Sequence, residues 1–414
     1  MHGDRRRRDP LVSTSQNDQH VPRRWLTASD CRIDEFIGTV EQQTKLADYP
    51  FAATVDRGVV TYDSNELAQV THDPARWQAI QAELISALLD GPGIVVFKAA
   101  FETDIINRAT AAFERMIRDQ HVSGVTAGDH FAKPGANDRV WNALEKLAVR
   151  DPEIFVDYYA NDVVALVSAA WLGPGYQVTS QVNVVNPGGA AQSPHCDYHL
   201  GFQSDVVSAE YPAHAHRLSA VLTLQGAVAH VDMPVESGPT LYLPHSQKFD
   251  PVYLSWRNAD VASYFDTHHV QLPLSKGDAV FFNPALLHAA GHNRTVDIKR
   301  MANLLQVSSA FGRAMESIDR GRMVKSLFGV LLSRQAEGMS ERRLANVIAA
   351  SAEGYPFPTN LDRDQPVDGL APPSQAAITA LALRQRLSVT DLNAQLDSAL
   401  TRQLSSVEMR DARS

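Results

Sequence analysis

Cysteine is scarce in this sequence, because only Cys31 and Cys196 occur among its 414 residues. Two cysteines cannot form the disulfide framework that stabilises small secreted domains. Such low cysteine usage fits a reducing compartment, and we therefore expect a cytoplasmic protein.

Long hydrophobic runs and excess positive charge are also missing. No apolar run approaches the roughly 18 residues that a bilayer-spanning helix needs, and no apolar segment follows Arg5–Arg8 as in a secretory signal. We therefore expect no membrane partner. The formal net charge of -9 argues against a nucleic-acid partner, which needs a basic face. The arginine run is interpreted as part of a disordered, solvated tail over residues 1–30.

What the sequence does contain is a β-rich middle flanked by helical parts. Apolar spacing predicts helices over residues 74–91 and 102–120, with a short buried strand at 93–98 between them. From about residue 176 to 311, several strand-like segments follow one another, separated by turns and without intervening helices. They are YQVTSQVNVV, HRLSAVLTLQGAVAHV, GPTLYLPHS, HHVQLPLSKGDAVFF and KRMANLLQVSSAF. This order predicts an antiparallel barrel or sandwich.

Residues 314–414 return to helical spacing. The last helix places four leucines at steps of four residues on one face: Leu392, Leu396, Leu400 and Leu404. Packing of this stripe against the body of the protein is the simpler explanation, and a homodimer contact is the alternative.

The segment QSPHCDYHLGF, residues 192–202, follows a glycine-containing turn and carries His195, Asp197 and His199 at alternate positions. If it is a strand, alternate side chains share one face, so an imidazole and a carboxylate point to one place. A metal site, an acid–base pair and a polar strand edge all fit this pattern. We expect His199 to be a pocket-wall residue and not a ligand, and the thiol of Cys196 to pack in the core on the opposite face.

A second cluster, FFNPALLHAAGHNRTVDIKR at 281–300, offers His288, with His292 as a competitor, and ends in Arg300. Two histidines and one carboxylate on one face of an ion are the ligand set of non-haem Fe(II) oxygenases, with open positions for substrate and oxygen. Arg300 lies in an apolar strand, where an unpaired guanidinium is costly. It could bind a carboxylate of a co-substrate or form a buried structural ion pair.

The order of these motifs resembles the phytanoyl-CoA dioxygenase family of Fe(II)/2-oxoglutarate-dependent oxygenases, which includes ectoine hydroxylase. The similar stretches between about residues 90 and 311 are GPGIVVFKAAFETDIINRATAAFERM, WLGPGYQVTSQVNVVNPGG, SPHCDYH, ESGPTLYLPHSQKF and GDAVFFNPALLHAAGHNRT. The resemblance implies a mainly β core with the double-stranded β-helix (jelly-roll, cupin-like) fold and flanking N- and C-terminal helices. We expect the oxygenase domain at 31–313, its jelly-roll core at about 176–311, and a helical extension at 314–414.

The resemblance also implies roles for individual residues. His195, Asp197 and His288 would bind Fe(II), and Arg300 would bind the distal carboxylate of 2-oxoglutarate. Gln181 and Asn183 lie on the strand that contacts this co-substrate in relatives. The activity implied is hydroxylation of a small molecule or acyl substrate with O2, releasing succinate and CO2.

Two other functions stay open. The chain could be a non-catalytic jelly-roll protein whose metal only stabilises the fold, or a zinc hydrolase that uses the same three ligands. Neither gives Arg300 a role. The aromatic segment from Tyr198 to Arg217 is expected to form a substrate wall or lid.

Overall fold

Two β-sheets form the centre of the computed structural model, which describes residues 24–70, 73–124, 136–366 and 368–405. Their strands, in chain order, are β1 (Thr54–Asp56), β2 (Val59–Asp63), β3 (Ile94–Lys98), β4 (Asn137–Val140), β5 (Gln177–Val185), β6 (Thr223–Ala229), β7 (Leu241–Tyr242), β8 (Val270–Gln271), β9 (Ala279–Phe282), β10 (His288–Ala289) and β11 (Arg300–Ser308). The large sheet has the order β1-β2-β3-β9-β6-β11-β5-β4, and the small sheet has the order β10-β7-β8.

The nine-residue strand β11 shows the two faces of the large sheet, one toward the helices and one toward the small sheet. Alternate residues Leu305 and Val307 are fully buried in the cluster that the helices share. The intervening positions, from Arg300 to Ser308, form the opposite, more polar face, here called the inner face. β11 is antiparallel to both neighbours, β5 and β6, and their inner faces continue it.

The two sheets pack face to face through an apolar cluster. Val280 and Phe282 of β9 contact Tyr242 of the small sheet, together with Ile94 and Val96 of β3. Most pairings are antiparallel, and β2 with β3 is a parallel pair. This arrangement is the double-stranded β-helix that the resemblance implied, so the predicted fold class is confirmed.

Helices cover the outside of the sheets. They are α1 (Ile33–Val40), α2 (Ser64–Val70), α3 (Pro74–Leu89), α4 (Thr103–Val122), α5 (Ala143–Arg150), α6 (Pro152–Tyr159), α7 (Asp162–Leu172), α8 (Asp205–Ala209), α9 (Ala213–Val221), α10 (Val252–Ser255), α11 (Ala259–His268), α12 (Arg320–Ala336), α13 (Glu341–Ser351), α14 (Gln375–Arg384) and α15 (Val389–Gln403). Several of them begin with a short polar side chain that caps the first turn, as when Asp73 accepts a hydrogen bond from the Ala75 N–H at α3. The helices predicted at 74–91 and 102–120 are confirmed as α3 and α4.

Two predictions of local structure were wrong. The segment 216–231 was expected to be strand throughout, yet its first part belongs to helix α9, and β6 begins only at Thr223. His216 is buried in this helix, where its Nε2 contacts the Ser208 carbonyl oxygen at 2.9 Å. The segment 238–246 was also read as strand, but only Leu241–Tyr242 pairs with neighbours.

The ends of the chain also bear on the predictions. The part of the predicted tail at 1–23 lies outside the described residues. At 24–30, however, Leu26 is buried against Leu254, and Trp25 forms a β-bridge with Pro212.

In α15, Leu392 and Leu396 are buried in the main cluster, as core packing predicted, whereas Leu400 is 49% exposed. No helix of the described residues has both the length and the hydropathy needed to cross a bilayer.

Candidate metal centre

A short β-bridge joins the two predicted histidine segments. The His195 N–H donates to the His288 carbonyl oxygen at 2.9 Å, and the His288 N–H donates back at 3.1 Å. Asp197 follows two residues later, and its N–H donates to Pro284. The pairing brings one side-chain ligand atom from each of His195, Asp197 and His288 to within 4.8 Å of one another.

Backbone carbonyl groups orient both imidazoles. His195 Nδ1 lies 2.9 Å from the Ser193 carbonyl oxygen, and His288 Nδ1 lies 2.9 Å from that of Leu286. Because a carbonyl oxygen only accepts, each Nδ1 carries a proton, so the neutral form of each ring presents its lone pair at Nε2. Nε2 of His195 lies 3.8 Å from Asp197 Oδ1, and Nε2 of His288 lies 3.3 Å from Asp197 Oδ2. The three ligand atoms therefore converge with the tautomer that metal binding requires.

The Asp197 carboxylate is held by a residue that the sequence reading missed. Gln225 of β6 donates from Nε2 to Asp197 Oδ2 at 2.5 Å. Burial alone raises the pKa of Asp197, but the hydrogen bond from His288, the charges of the two histidines and the Gln225 contact together hold it well below its usual range. The carboxyl group is thus kept ionised. The sequence signal for Gln225 was weak, because it is only a polar residue at an inner position of a mostly apolar strand.

The chain turns sharply after Asp197, so the segment is not the regular strand that alternation predicted. Tyr198 and His199 have positive φ angles of 63° and 40°, and a short 3-10 helix follows at His199–Phe202. His199 is consequently absent from the ligand cluster. Burial lowers its pKa, as expected for a wall residue. His292, the competitor of His288, has an exposed side chain and is also outside the cluster.

Arg300 begins β11 on the inner face and is only 7% exposed. Its guanidinium contacts the Gly291 carbonyl oxygen at 3.5 Å, and no described carboxylate lies within ion-pair distance of it. Burial lowers the pKa of Arg300 to about 10, which leaves it charged at neutral pH. The structural ion pair that the sequence left open is therefore not formed by any described residue.

The other two predicted contacts of the co-substrate lie on β5, next to β11. Asn183 pairs with Ala302 and Gln181 pairs with Leu304, so both point to the inner face with Arg300. Asn183 Oδ1 is buried without a hydrogen-bond partner. Gln181 donates from Nε2 to Gln306 Oε1 at 3.4 Å.

The inner face borders a space that solvent can reach. Ala227, Ala302 and Leu304 on this face are half-buried, whereas their outer-face neighbours Val228 and Leu305 are fully buried. Three side chains on the inner face also have a buried polar atom without a hydrogen-bond partner, as polar groups that await a ligand do. These atoms are Asn183 Oδ1, Gln225 Oε1 and Thr223 Oγ1.

The donor set fits a divalent iron ion. Two imidazole nitrogens and one carboxylate oxygen suit Fe(II), and three ligands on one side leave coordination positions for exchangeable groups. The same set also accepts Zn²⁺. The chemistry of the ligands alone therefore leaves both metals possible, and the buried guanidinium of Arg300 is the feature that distinguishes the two functions.

Comparison with known proteins gives one match to a family. A sequence model described as Phytanoyl-CoA dioxygenase (PhyH) matches residues 34–301, more than half of the 414-residue chain. The span contains His195, Asp197 and His288, and it ends at the second residue of β11, one residue after Arg300. Comparison with the curated proteins gives no match.

Several solved structures also match, at low identity. The non-haem α-ketoglutarate-dependent epimerase SnoN from nogalamycin biosynthesis is 18% identical, with a TM-score of 0.37 over 57% of this chain and 84% of its own. AviO1 from Streptomyces viridochromogenes Tue57 is 21% identical, with a TM-score of 0.39 over 54% and 93%. HygX from Streptomyces hygroscopicus, solved with nickel, 2-oxoglutarate and hygromycin B, is 12% identical, with a TM-score of 0.39 over 56% and 89%.

Proposed function

Because the chain belongs to the phytanoyl-CoA dioxygenase family and is thus an Fe(II)/2-oxoglutarate-dependent oxygenase, we propose that it hydroxylates an unactivated carbon of a small molecule or acyl substrate. The reaction consumes O2 and 2-oxoglutarate and releases succinate and CO2. His195, Asp197 and His288 are proposed as the iron ligands, and Arg300, Gln181 and Asn183 as contacts of the co-substrate.

The buried, unpaired guanidinium of Arg300 carries this proposal. A buried charge without a partner costs several kcal/mol, so a chain keeps one where a ligand supplies the opposite charge. Arg300 is on the inner face that also holds Gln225, the residue bonded to Asp197. The positive charge of Arg300 acts to lower the pKa of Tyr242, and Tyr242 pairs with His288 in the small sheet. We propose that the 2-oxo acid end of the co-substrate lies at the metal ligands and its distal carboxylate at this guanidinium.

The residues of the chain have separate roles in this reaction. Bound Fe(II), with 2-oxoglutarate and O2, supplies the oxidising power for removing a hydrogen atom from carbon. Asp197 balances the charge of the cation, and the carbonyl groups of Ser193 and Leu286 keep the histidines oriented. Arg300 would bind the distal carboxylate bidentately and so fix the co-substrate. Phe282 packs against His288 with ring centroids 4.8 Å apart and excludes water from that side.

The alternatives make different use of the same site. A non-catalytic metal-binding protein or a zinc hydrolase needs the three ligands but no buried cation. The proposed substrate wall at 198–217 contains a half-exposed Phe202, whose ring is tilted against that of Tyr198 with centroids 6.0 Å apart. We also propose a cytoplasmic location, which the two free, buried cysteines support.

The first experiment measures co-substrate binding under anaerobic conditions. We expect metal-free protein to develop the visible charge-transfer band of a chelated 2-oxo acid when Fe(II) and 2-oxoglutarate are added. His195→Ala should abolish the band, and Arg300→Gln should weaken 2-oxoglutarate binding about tenfold or more, because one charge-assisted pair is lost.

Two variants serve as matched controls. Arg320 is also buried, contacts only carbonyl oxygens and has its pKa lowered to about 10 by burial, but it lies against Val178 on the outer face. Arg320→Gln and the exposed His292→Ala should therefore keep the band. Iron binding without a band in the unmodified protein would contradict the oxygenase and favour a metal-stabilised protein or a hydrolase.

A further inference from the structure

Two side chains near one end of the inner face each have a polar atom without a hydrogen-bond partner among the described residues. Thr223 begins β6 and is fully buried, and Gln225 follows two residues later with 6% exposure. The unpaired atoms are Thr223 Oγ1 and Gln225 Oε1. Because the two residues are at alternate positions of one strand, both side chains leave the same face of the sheet. Unpaired buried polar atoms are rare, so each of them needs an explanation.

The unpaired atom of Gln225 can only accept. Its Nε2 donates to Asp197 Oδ2, and because an ionised carboxylate accepts but never donates, the amide cannot be reversed. Oε1 is therefore left for a partner that supplies a hydroxyl or an N–H group. Thr223 Oγ1 can donate as well as accept. The two atoms together fit a group that both donates and accepts, as a hydroxyl does.

Side chains at the neighbouring inner positions of β5 and β11 are bonded within the chain. Thr179 Oγ1 donates to the Gln306 carbonyl oxygen at 3.0 Å, and Ser308 Oγ donates to that of Arg313 at 3.0 Å. The Gln177 amide donates to two carbonyl oxygens of the loop after β11. All these inner side chains are uncharged. A charged ligand group would find no counter-ion among them, so they favour an uncharged one.

The Thr223–Gln225 pair lies beyond the positions proposed for the co-substrate. In order along the inner face of β11 lie Arg300, Ala302, Leu304, Gln306 and Ser308. The proposed co-substrate contacts on β5 pair with the second and third of these residues, whereas Gln225 pairs with the fourth and Thr223 with the fifth. Thr223 is thus about 7 Å further from Arg300 along the strand than Gln225, the residue bonded to Asp197.

The proposed substrate wall is attached to the body of the protein beside this pair. The wall begins at Tyr198, directly after Asp197, where two positive φ angles turn the chain. It continues into α9, which ends at Val221, two residues before Thr223. The segment expected to enclose the substrate is therefore anchored next to a metal ligand at one end and next to Thr223 at the other.

Resting on the proposed oxygenase function, we propose that Thr223 and the amide oxygen of Gln225 form a specificity site for a hydroxyl group of the substrate. This hydroxyl donates to Gln225 Oε1 and accepts from Thr223 Oγ1. The substrate class is an uncharged alcohol or polyol, held on the Thr223 side of the metal ligands while 2-oxoglutarate occupies the Arg300 side. Both atoms are covered in this structure, so the substrate reaches them when the wall moves.

The test compares four ring compounds: cis-1,2-cyclohexanediol, its dimethyl ether, cyclohexylammonium and cyclohexanecarboxylate. The diol donates and accepts, the ether only accepts, and the other two carry opposite charges. The protein is loaded with Co(II), which suits the same ligands, and with 2-oxoglutarate. Titrations are followed by the proton NMR relaxation of each probe, with Zn(II)-loaded protein as the diamagnetic reference.

We expect the diol to bind at least about tenfold more tightly than each of the other probes, because a buried acceptor left unpaired is costly. Its protons should be relaxed by Co(II), since the site adjoins the metal. Thr223→Val should weaken diol binding about fivefold, because valine has a similar shape but lacks the hydroxyl. Thr223→Ser, which retains a hydroxyl, should keep the affinity.

Thr379→Val is the matched control. Thr379 is also fully buried, but it lies in α14, where its hydroxyl donates to the Gln375 carbonyl oxygen at 2.8 Å. This variant should bind the diol as tightly as the unmodified protein does. Thermal unfolding reports whether each variant is folded.

The outcomes separate this proposal from the proposed function. The hydroxyl site is overturned if the diol binds no better than the ether or a charged probe, or is not relaxed by Co(II). Equal diol affinities of Thr223→Val and the unmodified protein, or an equal loss in Thr379→Val, also overturn it, even where the charge-transfer band forms. A diol preference that depends on Thr223 in a protein without the band supports the hydroxyl site and contradicts the oxygenase function.

Discussion

The carboxylate of Asp197 depends on a neighbour that binds no metal itself. Gln225 donates to Oδ2, while the peptide N–H of Asp197 is bonded to Pro284. The backbone and one amide thus fix this ligand from two directions. A carboxylate held in this way loses little conformational entropy when it binds a cation.

Gln225→Leu is expected to weaken Fe(II) binding about 10- to 100-fold, the range found when a group that orients a metal ligand is removed. Leucine is similar in size and keeps the inner face filled, so the change mainly removes the hydrogen bond. Anaerobic metal titration with calorimetric detection measures the effect.

Gln177→Leu provides the comparison. This glutamine lies on the inner side of β5, and its amide donates to the carbonyl oxygens of Ser309 and Gly312, away from the metal ligands. The Gln177→Leu variant should bind Fe(II) as tightly as the unmodified protein does. Equal affinities for all three proteins would show that Gln225 does not orient Asp197.

Among the helices, α15 tests the two explanations of the leucine stripe. Leu396 is 5% exposed in the main cluster, and Leu400, one turn later, is 49% exposed. The groove of about 530 Å³ between α12, α14 and α15 is lined partly by both leucines. The first residue packs within the chain, and the second is the one available to a homodimer, which remains a prediction.

Leu396→Ala is expected to lower the free energy of unfolding by about 2–4 kcal/mol, because it leaves a cavity in a packed cluster. Leu400→Ala should cost less than about 0.5 kcal/mol, as is usual for exposed positions. Urea unfolding at two protein concentrations measures both. A large effect of Leu400→Ala together with a concentration-dependent midpoint would instead indicate the homodimer.

At the scale of the whole molecule, the C-terminal helices share one hydrophobic cluster with the oxygenase core. Met323, Leu327 and Phe328 of α12 are buried together with Val178 and Val182 of β5. The proposed boundary between an oxygenase domain at 31–313 and an extension at 314–414 therefore crosses a continuous core. The sequence changes from strand-like to helical spacing at this boundary, but one hydrophobic core continues across it.

A chain truncated after residue 313 is expected to lose its fixed tertiary packing. The outer face of β5 and the helices α5 and α6 lose their apolar cover, so the product should bind a hydrophobic dye and lack near-ultraviolet circular dichroism. The full-length chain should unfold in one transition. A soluble truncated protein with its own cooperative transition would show that the boundary separates independent domains.

The sequence by itself determined the fold class and the metal ligands that we propose. The order of the motifs, with His195 two residues before Asp197 and His288 much later, resembled one family, and this resemblance implied the ligands, because motif spacing and ligand chemistry are local properties. The arginine in an apolar strand was also visible, since burial of Arg300 follows from its neighbours.

Only the tertiary structure decided which groups surround these ligands. Gln225 is 28 residues from Asp197 in sequence, and the position of β6 in the sheet brings the two side chains into contact. Helix α9 was misread as strand because its short apolar pattern fits either period. The absence of a described carboxylate at Arg300 was likewise not predictable, since ion pairing depends on contacts between distant segments. Local patterns therefore specify the ligands and the strands, while long-range packing selects the residues that orient and complete the site.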